Sequence, residues 1–206
     1  MPTVRDATHA SELLAKRHAP FRPLVRAVGP CPLRVTRGGS HFATLASTIA
    51  YQQLNGTAAA TIWGRVVTTV GGRITPEAVL ATSELDLRAA GLSTAKVASL
   101  IDLATKADDG TLRLARISRY DDEDAIAMLS EVRGIGRWSA EMFLMHRLGR
   151  LDIWPVGDYG VRKGYAIVHG LADMPDAKVL DPLGEPYRGY RSVAAWYCWQ
   201  ATDRSD

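Results

Sequence analysis

The sequence predicts an all-α protein, on three observations. Apolar residues return at helical spacing through most of the chain. Short helices are announced one after another by Ser, Thr or Asp at candidate caps. Nothing in the chain reads as a sheet. No internal repeat of fixed period is present.

Residues 1–36 are punctuated by Pro2, Pro20, Pro23, Pro30 and Pro32. They predict one short helix near 9–18, then extended chain with room for one strand near 31–36. Gly38-Gly39 breaks the chain, and Ser40 is a good N-cap for a helix carrying Phe42, Leu45 and Ile49. Asn55-Gly56 interrupts the pattern, which resumes through Ala58 to Val70 and ends at Gly71-Gly72. Thr75-Pro76-Glu77 starts the next helix, with proline at the first helical position. Ser83 opens another, closed by Gly91. Thr94 caps a longer one with Val97, Leu100, Ile101 and Ala104 on one face. Asp121-Asp122-Glu123-Asp124 looks like a charge run, but carboxylates in a first turn oppose the macrodipole of a helix over 122–131. Helices follow over 137–148, after Gly157 or Asp158, and from about Arg188 to Gln200, with Pro182 and Pro186 keeping the approach to the last one open.

The 206 residues suffice for one compact unit or two small lobes with a sizeable core, and 47% hydrophobic residues exclude a disordered chain. The net charge of +3 is compatible with a polyanionic partner without requiring one. Cys31 and Cys198 are too few for a disulfide framework, a zinc site or a four-cysteine cluster. His41, His146 and His169 lack metal-ligand spacing. No apolar run is long enough to span a bilayer, and Met1-Pro2-Thr3-Val4-Arg5 has no signal-peptide core, so a cytoplasmic protein without a membrane partner is expected.

The most informative stretch is Glu131 to Met142. An apolar-patterned segment runs into Gly134-Ile135-Gly136, and a second helix starts at once. Two glycines around one aliphatic residue allow a tight turn. The unpaired N–H groups at the start of the second helix then offer a docking point for a phosphate. Trp154-Pro155-Val156-Gly157-Asp158-Tyr159 follows about twenty residues later. Asp158 stands where a helix N-cap is expected.

Three segments in this order and spacing resemble the 3-methyladenine DNA glycosylase II family of the helix-hairpin-helix glycosylase superfamily. They are Phe42 to Ala59 with Ile49-Ala50-Tyr51-Gln52-Gln53-Leu54, Val132 to Ala140 followed by Asp158-Tyr159, and Pro186 to Tyr197. The resemblance implies two helical lobes with the active-site cleft between them. One lobe is continuous over 38–145. The other is formed by both termini, 1–37 plus 146–206. It implies a monomer that binds duplex DNA containing damaged bases, nucleoid-associated if bacterial, and that needs no cofactor.

The resemblance assigns roles residue by residue. Asp158 is the catalytic carboxylate, suited to stabilise an oxocarbenium-like sugar and to orient an attacking water, a role compatible with that of a helix N-cap. Gly134, Ile135, Gly136 and Arg137 meet the DNA backbone, and the carbonyls of Ser130, Val132 and Ile135 can hold a monovalent cation bridging to phosphate. Arg133 and Lys96 are weaker phosphate candidates. Trp138, Trp196 and Tyr159 match positions lining an alkylpurine pocket, where a cationic base gains about 0.5–2 kcal/mol by stacking. Helical tryptophans equally serve as core. Met142 stands where one branch of the family has an aromatic, which leaves the pocket floor softer. Gln53 aligns with the plug that fills the hole left by the extruded nucleotide, with Leu54 its apolar neighbour. The local alternative is that Leu54 is core and Gln52 and Gln53 are surface of the same helix.

Bifunctional relatives carry a Schiff-base lysine at position 138, and here it is Trp138. Arg137 cannot replace that amine, being always protonated. The expectation is a monofunctional glycosylase releasing alkylated purines, 3-methyladenine and 7-methylguanine, and leaving the strand intact. The alternatives are a glycosylase for hypoxanthine, ethenoadenine or an oxidised purine, and a helix-hairpin-helix DNA-binding protein without activity. With about 36 residues ahead of the first motif helix, the extra β-domain of three-domain members is not expected in this sequence.

Overall fold

A computed structural model describes residues 6–204. The five N-terminal residues, with Pro2 and the expected absence of a signal core, lie outside the described residues. Among the described residues every regular element is helical. No described helix is long and apolar enough to cross a membrane. Backbone contacts divide the chain into two compact units, Arg37–Phe143 and Met1–Thr36 with Leu144–Asp206.

In the unit Arg37–Phe143 the helices start where side-chain oxygens satisfy first-turn N–H groups. α3 (His41–Tyr51) is capped by Ser40, α4 (Gly56–Thr69) by Asn55, α5 (Pro76–Leu80) by Thr75 and α6 (Glu84–Ala89) by Ser83. α7 (Thr94–Asp108) is capped by Ser93, one residue before the expected Thr94. α8 (Asp122–Ser130) is capped by Asp121 and carries three more acids in its first turn. Each cap is worth about 1 kcal/mol. Phe42, Leu45 and Ile49 of α3 are buried with Val97, Leu100 and Leu103 of α7, Leu129 of α8 and Phe143 of α9 (Arg137–His146). α9 stops two residues short of the expected 148, ahead of Gly149 at φ +66°.

In the other unit, α1 (Ala7–Arg17) is followed by a 3-10 turn, Ala19–Phe21, and by α2 (Arg22–Val28), where extended chain was expected. The proline-rich reading failed because Pro20 and Pro23 both stand in first turns, where a missing N–H costs nothing. Residues 31–36 form no strand; Thr36 is tied to the end of α9 and the residue after it by main-chain and side-chain bonds to His146 and Arg147. α10 (Tyr159–His169) is capped by Asp158. An unforeseen helix, α11 (Ala177–Leu183), contains Pro182 in its last turn, and Pro186 sits in the 3-10 turn Glu185–Tyr187. Neither proline holds an approach open. α12 (Arg191–Asp203) starts three residues later than expected.

α10 and α12 meet backbone to backbone. A Cβ on Gly164 would overlap the Cys198 carbonyl, and a Cβ on Gly160 would lie 2.8 Å from Trp199 Cδ1. The two glycines, one turn apart, make a groove in α10 that receives α12. Around this crossing Val161, Tyr165, Val193, Ala194, Tyr197 and Cys198 are buried.

Candidate functional site

The hairpin joins α8 to α9 through Gly134-Ile135-Gly136. Ile135 is buried and anchors the turn, while Gly134 adopts φ +78°. Its brace comes from α7. Asp102 Oδ2 accepts the Arg133 N–H at 2.8 Å, and Ser99 packs under Gly134 so closely that a Cβ there would lie 2.6 Å from its hydroxyl oxygen. Gly136 has an open side and no positive φ. The two glycines therefore differ: Gly134 is required by backbone and space, Gly136 by neither.

Of the cationic candidates, Arg137 is committed within the protein. Its guanidinium donates to both oxygens of Glu123, at 2.8 and 2.6 Å, and to buried Glu141 at 2.9 Å. The Glu123 hydrogen bonds and charge hold its pKa above the usual arginine value. Lys96 donates to the Ala50 carbonyl at 2.7 Å, where it caps the end of α3. Burial lowers its pKa. Arg137 remains an exposed side chain even so, and Lys96 is half-buried. The side chain of Arg133 is exposed.

Gln52, Gln53 and Leu54 lie past the end of α3 rather than within it. Gln52 is the C-cap residue, and Gln53 takes φ +58°, a left-handed conformation that glycine would ordinarily fill. Leu54 is 40% exposed, so it is not core. Gln52 Nε2 donates to the Gly134 carbonyl at 2.8 Å, which ties this loop to the hairpin. The loop and the hairpin flank a groove of about 770 Å³ lined by Ser47, Thr48, Tyr51, Gln52, Gln53, Gly134, Trp138 and Ser139. Trp138 is 50% exposed there, more than a core tryptophan would be. Met142, one turn further along α9, is half-buried and does not line this groove.

In the other unit Asp158 caps α10. Its Oδ1 accepts the Val161 N–H at 2.8 Å and the indole N–H of Trp199 at 2.8 Å. The carboxylate is half-buried. Tyr159, the first residue of the helix, is 63% exposed. Trp196 is half-buried, with its ring edge-on to Tyr197 at 4.9 Å. Trp199, which the sequence reading passed over, is the tryptophan that meets Asp158. The signal was available: it lies one turn past Trp196, and Gly160 and Gly164 mark a face of α10 built for close approach.

Among the described residues no group of three or more His, Cys, Asp or Glu gathers to hold a metal ion. At the hairpin the available ligands are main-chain carbonyls. Val132 O accepts the Ile135 N–H at 3.0 Å, which leaves it a second lone pair.

The comparisons with known proteins agree in one family. The model of the HhH-GPD superfamily base excision DNA repair protein matches residues 46–186. DNA-3-methyladenine glycosylase 1 of Schizosaccharomyces pombe is 30% identical over 207 residues, covering 98% of this chain and 91% of its own. A crystal structure of a DNA-3-methyladenine glycosidase from Bacillus halodurans superposes with a TM-score of 0.84 at 30% identity, covering 97% of this chain and 91% of that one. The Schizosaccharomyces pombe 3-methyladenine DNA glycosylase in complex with abasic DNA superposes with a TM-score of 0.77 at 30% identity, covering 93% and 95%. With its model matched across well over half of the sequence, this chain belongs to the HhH-GPD superfamily of base excision DNA repair proteins.

Proposed function

We propose that this chain is a monofunctional DNA glycosylase of the 3-methyladenine II type, hydrolysing the N-glycosidic bond of 3-methyladenine and 7-methylguanine in duplex DNA. The observation that carries the reading is Asp158, a carboxylate fixed at a helix N-terminus by N–H donors from two helices, in a chain with Trp138 where a lyase has its lysine.

The protein acts as a monomer on the damaged duplex. The start of α9, at Gly134-Ile135-Gly136, meets the phosphate backbone through main-chain N–H groups and reads no base. The carbonyls of Ser130, Val132 and Ile135 are the groups to hold a monovalent cation there, which would offset phosphate charge; no step depends on it. Gln53 and Leu54 enter the stack in place of the extruded nucleotide. A flipped, positively charged alkylpurine stacks on Trp138, and Tyr159, Trp196 and Met142 are assigned further contacts with it. The bond electrons leave with the base, which is already a good leaving group because it carries the charge. The Asp158 carboxylate stabilises the positive sugar, and water adds its oxygen to C1′ and gives up a proton. The products are a free base and an intact strand with an abasic site.

One observation favours a second reading, a neutral lesion such as hypoxanthine or ethenoadenine. Hydroxyls and amides of Ser47, Thr48, Gln53 and Ser139 line the groove beside Trp138, and a neutral base needs such hydrogen bonds to leave. The test is to incubate methylated, hypoxanthine-containing and ethenoadenine-containing duplexes with the protein and identify the bases released. Release of 3-methyladenine and 7-methylguanine, reduced by Trp138→Ala more than any hypoxanthine release, supports the first reading. Release of neutral bases alone supports the second, and none from any duplex leaves a DNA-binding protein without activity.

A further inference from the structure

Asp158 is held by more than its cap. The cap bond from Val161 alone leaves a carboxylate free to turn, because the terminal torsion of an aspartate is broad. A second donor arrives from another helix. Trp199 Nε1 reaches the same oxygen, Oδ1, at 2.8 Å. Two donors converging from different directions fix the carboxylate plane, and with it the place of Oδ2.

The indole is itself clamped. Gly160 leaves the space it occupies: a Cβ there would fall 2.8 Å from Cδ1, 3.3 Å from Nε1 and 3.2 Å from Asp158 Oδ1. The Thr202 hydroxyl donates to the Gly160 carbonyl at 3.0 Å and ties that turn to α12. The His146 ring stacks on the indole, with centroids 5.9 Å apart and planes 24° apart. The neighbouring Cys198 thiol is buried, and burial together with the charge of Asp158 pushes its pKa up, so it stays neutral. An indole N–H only donates. It cannot carry a proton away from the carboxylate.

We infer that Trp199 is a positioning residue: its indole N–H, seated by Gly160 and His146, fixes the orientation in which the Asp158 carboxylate meets the substrate. The inference rests on the proposed catalytic role of Asp158. It assigns a function to the Trp199–Gly160 pair beyond helix packing.

The experiment measures single-turnover release of 7-methylguanine from methylated duplex, together with DNA affinity, for Trp199→Phe and Gly160→Ala. Each is made in the native and the Asp158→Asn background. Trp199→Phe keeps a ring and removes the donor. The expected result is a rate lowered about 10- to 100-fold with affinity unchanged, and no further loss in the Asp158→Asn background, because the two residues act through one group. Gly160→Ala places a Cβ 2.8 Å from the indole Cδ1, shifts the ring and should repeat the pattern; it carries the test if the phenylalanine variant does not fold. Native-like rates for Trp199→Phe beside an inactive Asp158→Asn would overturn the inference while leaving the role of Asp158 intact. An equal loss in both backgrounds would also overturn it, since the effect would then be structural. Wild-type release by Asp158→Asn would remove the catalytic reading itself.

Discussion

Replacing Asp158 by asparagine separates the charge of this side chain from its structural duties. Asn keeps an Oδ1 that accepts from both Val161 N–H and Trp199 Nε1, and it is as good an N-cap as Asp. The fold should be unchanged, with a melting temperature close to that of the native protein. What disappears is the negative charge that the proposed mechanism sets beside the sugar. Loss of one preorganised electrostatic contact of this kind costs about 2.7–4 kcal/mol of barrier, a fall of about 10²–10³ in base release. Alanine at the same position gives the contrast. It forfeits the cap, about 1 kcal/mol, and leaves the Trp199 N–H without its acceptor, about 1–3 kcal/mol. For a chain of this size the sum of about 2–4 kcal/mol lowers the melting temperature by about 4–16 °C. The assay is single-turnover release of 7-methylguanine with enzyme in excess, beside a thermal melt of each variant. An asparagine variant that folds, binds methylated duplex and releases base within about threefold of the native rate would refute the electrostatic role. An alanine variant as stable as the native protein would refute the account of the cap.

Three further outcomes are expected. Gly136→Ala should fold normally and weaken binding to damaged and undamaged duplex alike, with a shallower salt dependence, whereas Gly134→Ala should lose at least about 1–2 kcal/mol of stability through its φ of +78° and the contact with Ser99; equal melting temperatures would contradict this distinction. Reaction on methylated DNA should leave the strand intact until alkali or heat is applied, and borohydride should trap no adduct; a trapped adduct would point to another amine, such as Lys163 on α10, and end the monofunctional reading. The pKa values of His18 and His169 are both lowered, chiefly by burial among Phe21, Tyr187 and Tyr190, so the unfolded chain takes protons more readily; stability should be full above about pH 6.5 and fall as the pH drops below it, and a flat melting profile between about pH 7 and 5 would count against this.

What the sequence discloses is what short-range physics decides. Ser40, Thr75, Asp121 and Asp158 were recognisable as caps because a cap needs only its own side chain and the three residues after it. The turn at Gly134 was legible for the same reason. Pro182 misled because a proline near the end of a helix looks, in one dimension, like a proline beyond it. The commitment of Arg137 was half legible. Glu141 lies one helical turn away, but Glu123 is brought in by the fold. Trp199 is hidden for the second of these reasons: its partner stands forty-one positions earlier, and Gly160 and Gly164 mark a face for close approach without showing which side chain meets it.

The glycine groove of α10 also bears on how such a protein can change over generations. With Gly164 against the Cys198 carbonyl and Gly160 against the Trp199 ring, the register of the two helices depends on both glycines and shifts if either gains a side chain. Side chains elsewhere on the two helices, Tyr159 and Trp196 among them, do not set that register. Under the proposed function, substitutions there retune which damaged base is accepted while the two glycines keep the carboxylate in its place. On that reading lesion preference and chemical competence are separately heritable traits, and the joint between two helices is what divides them.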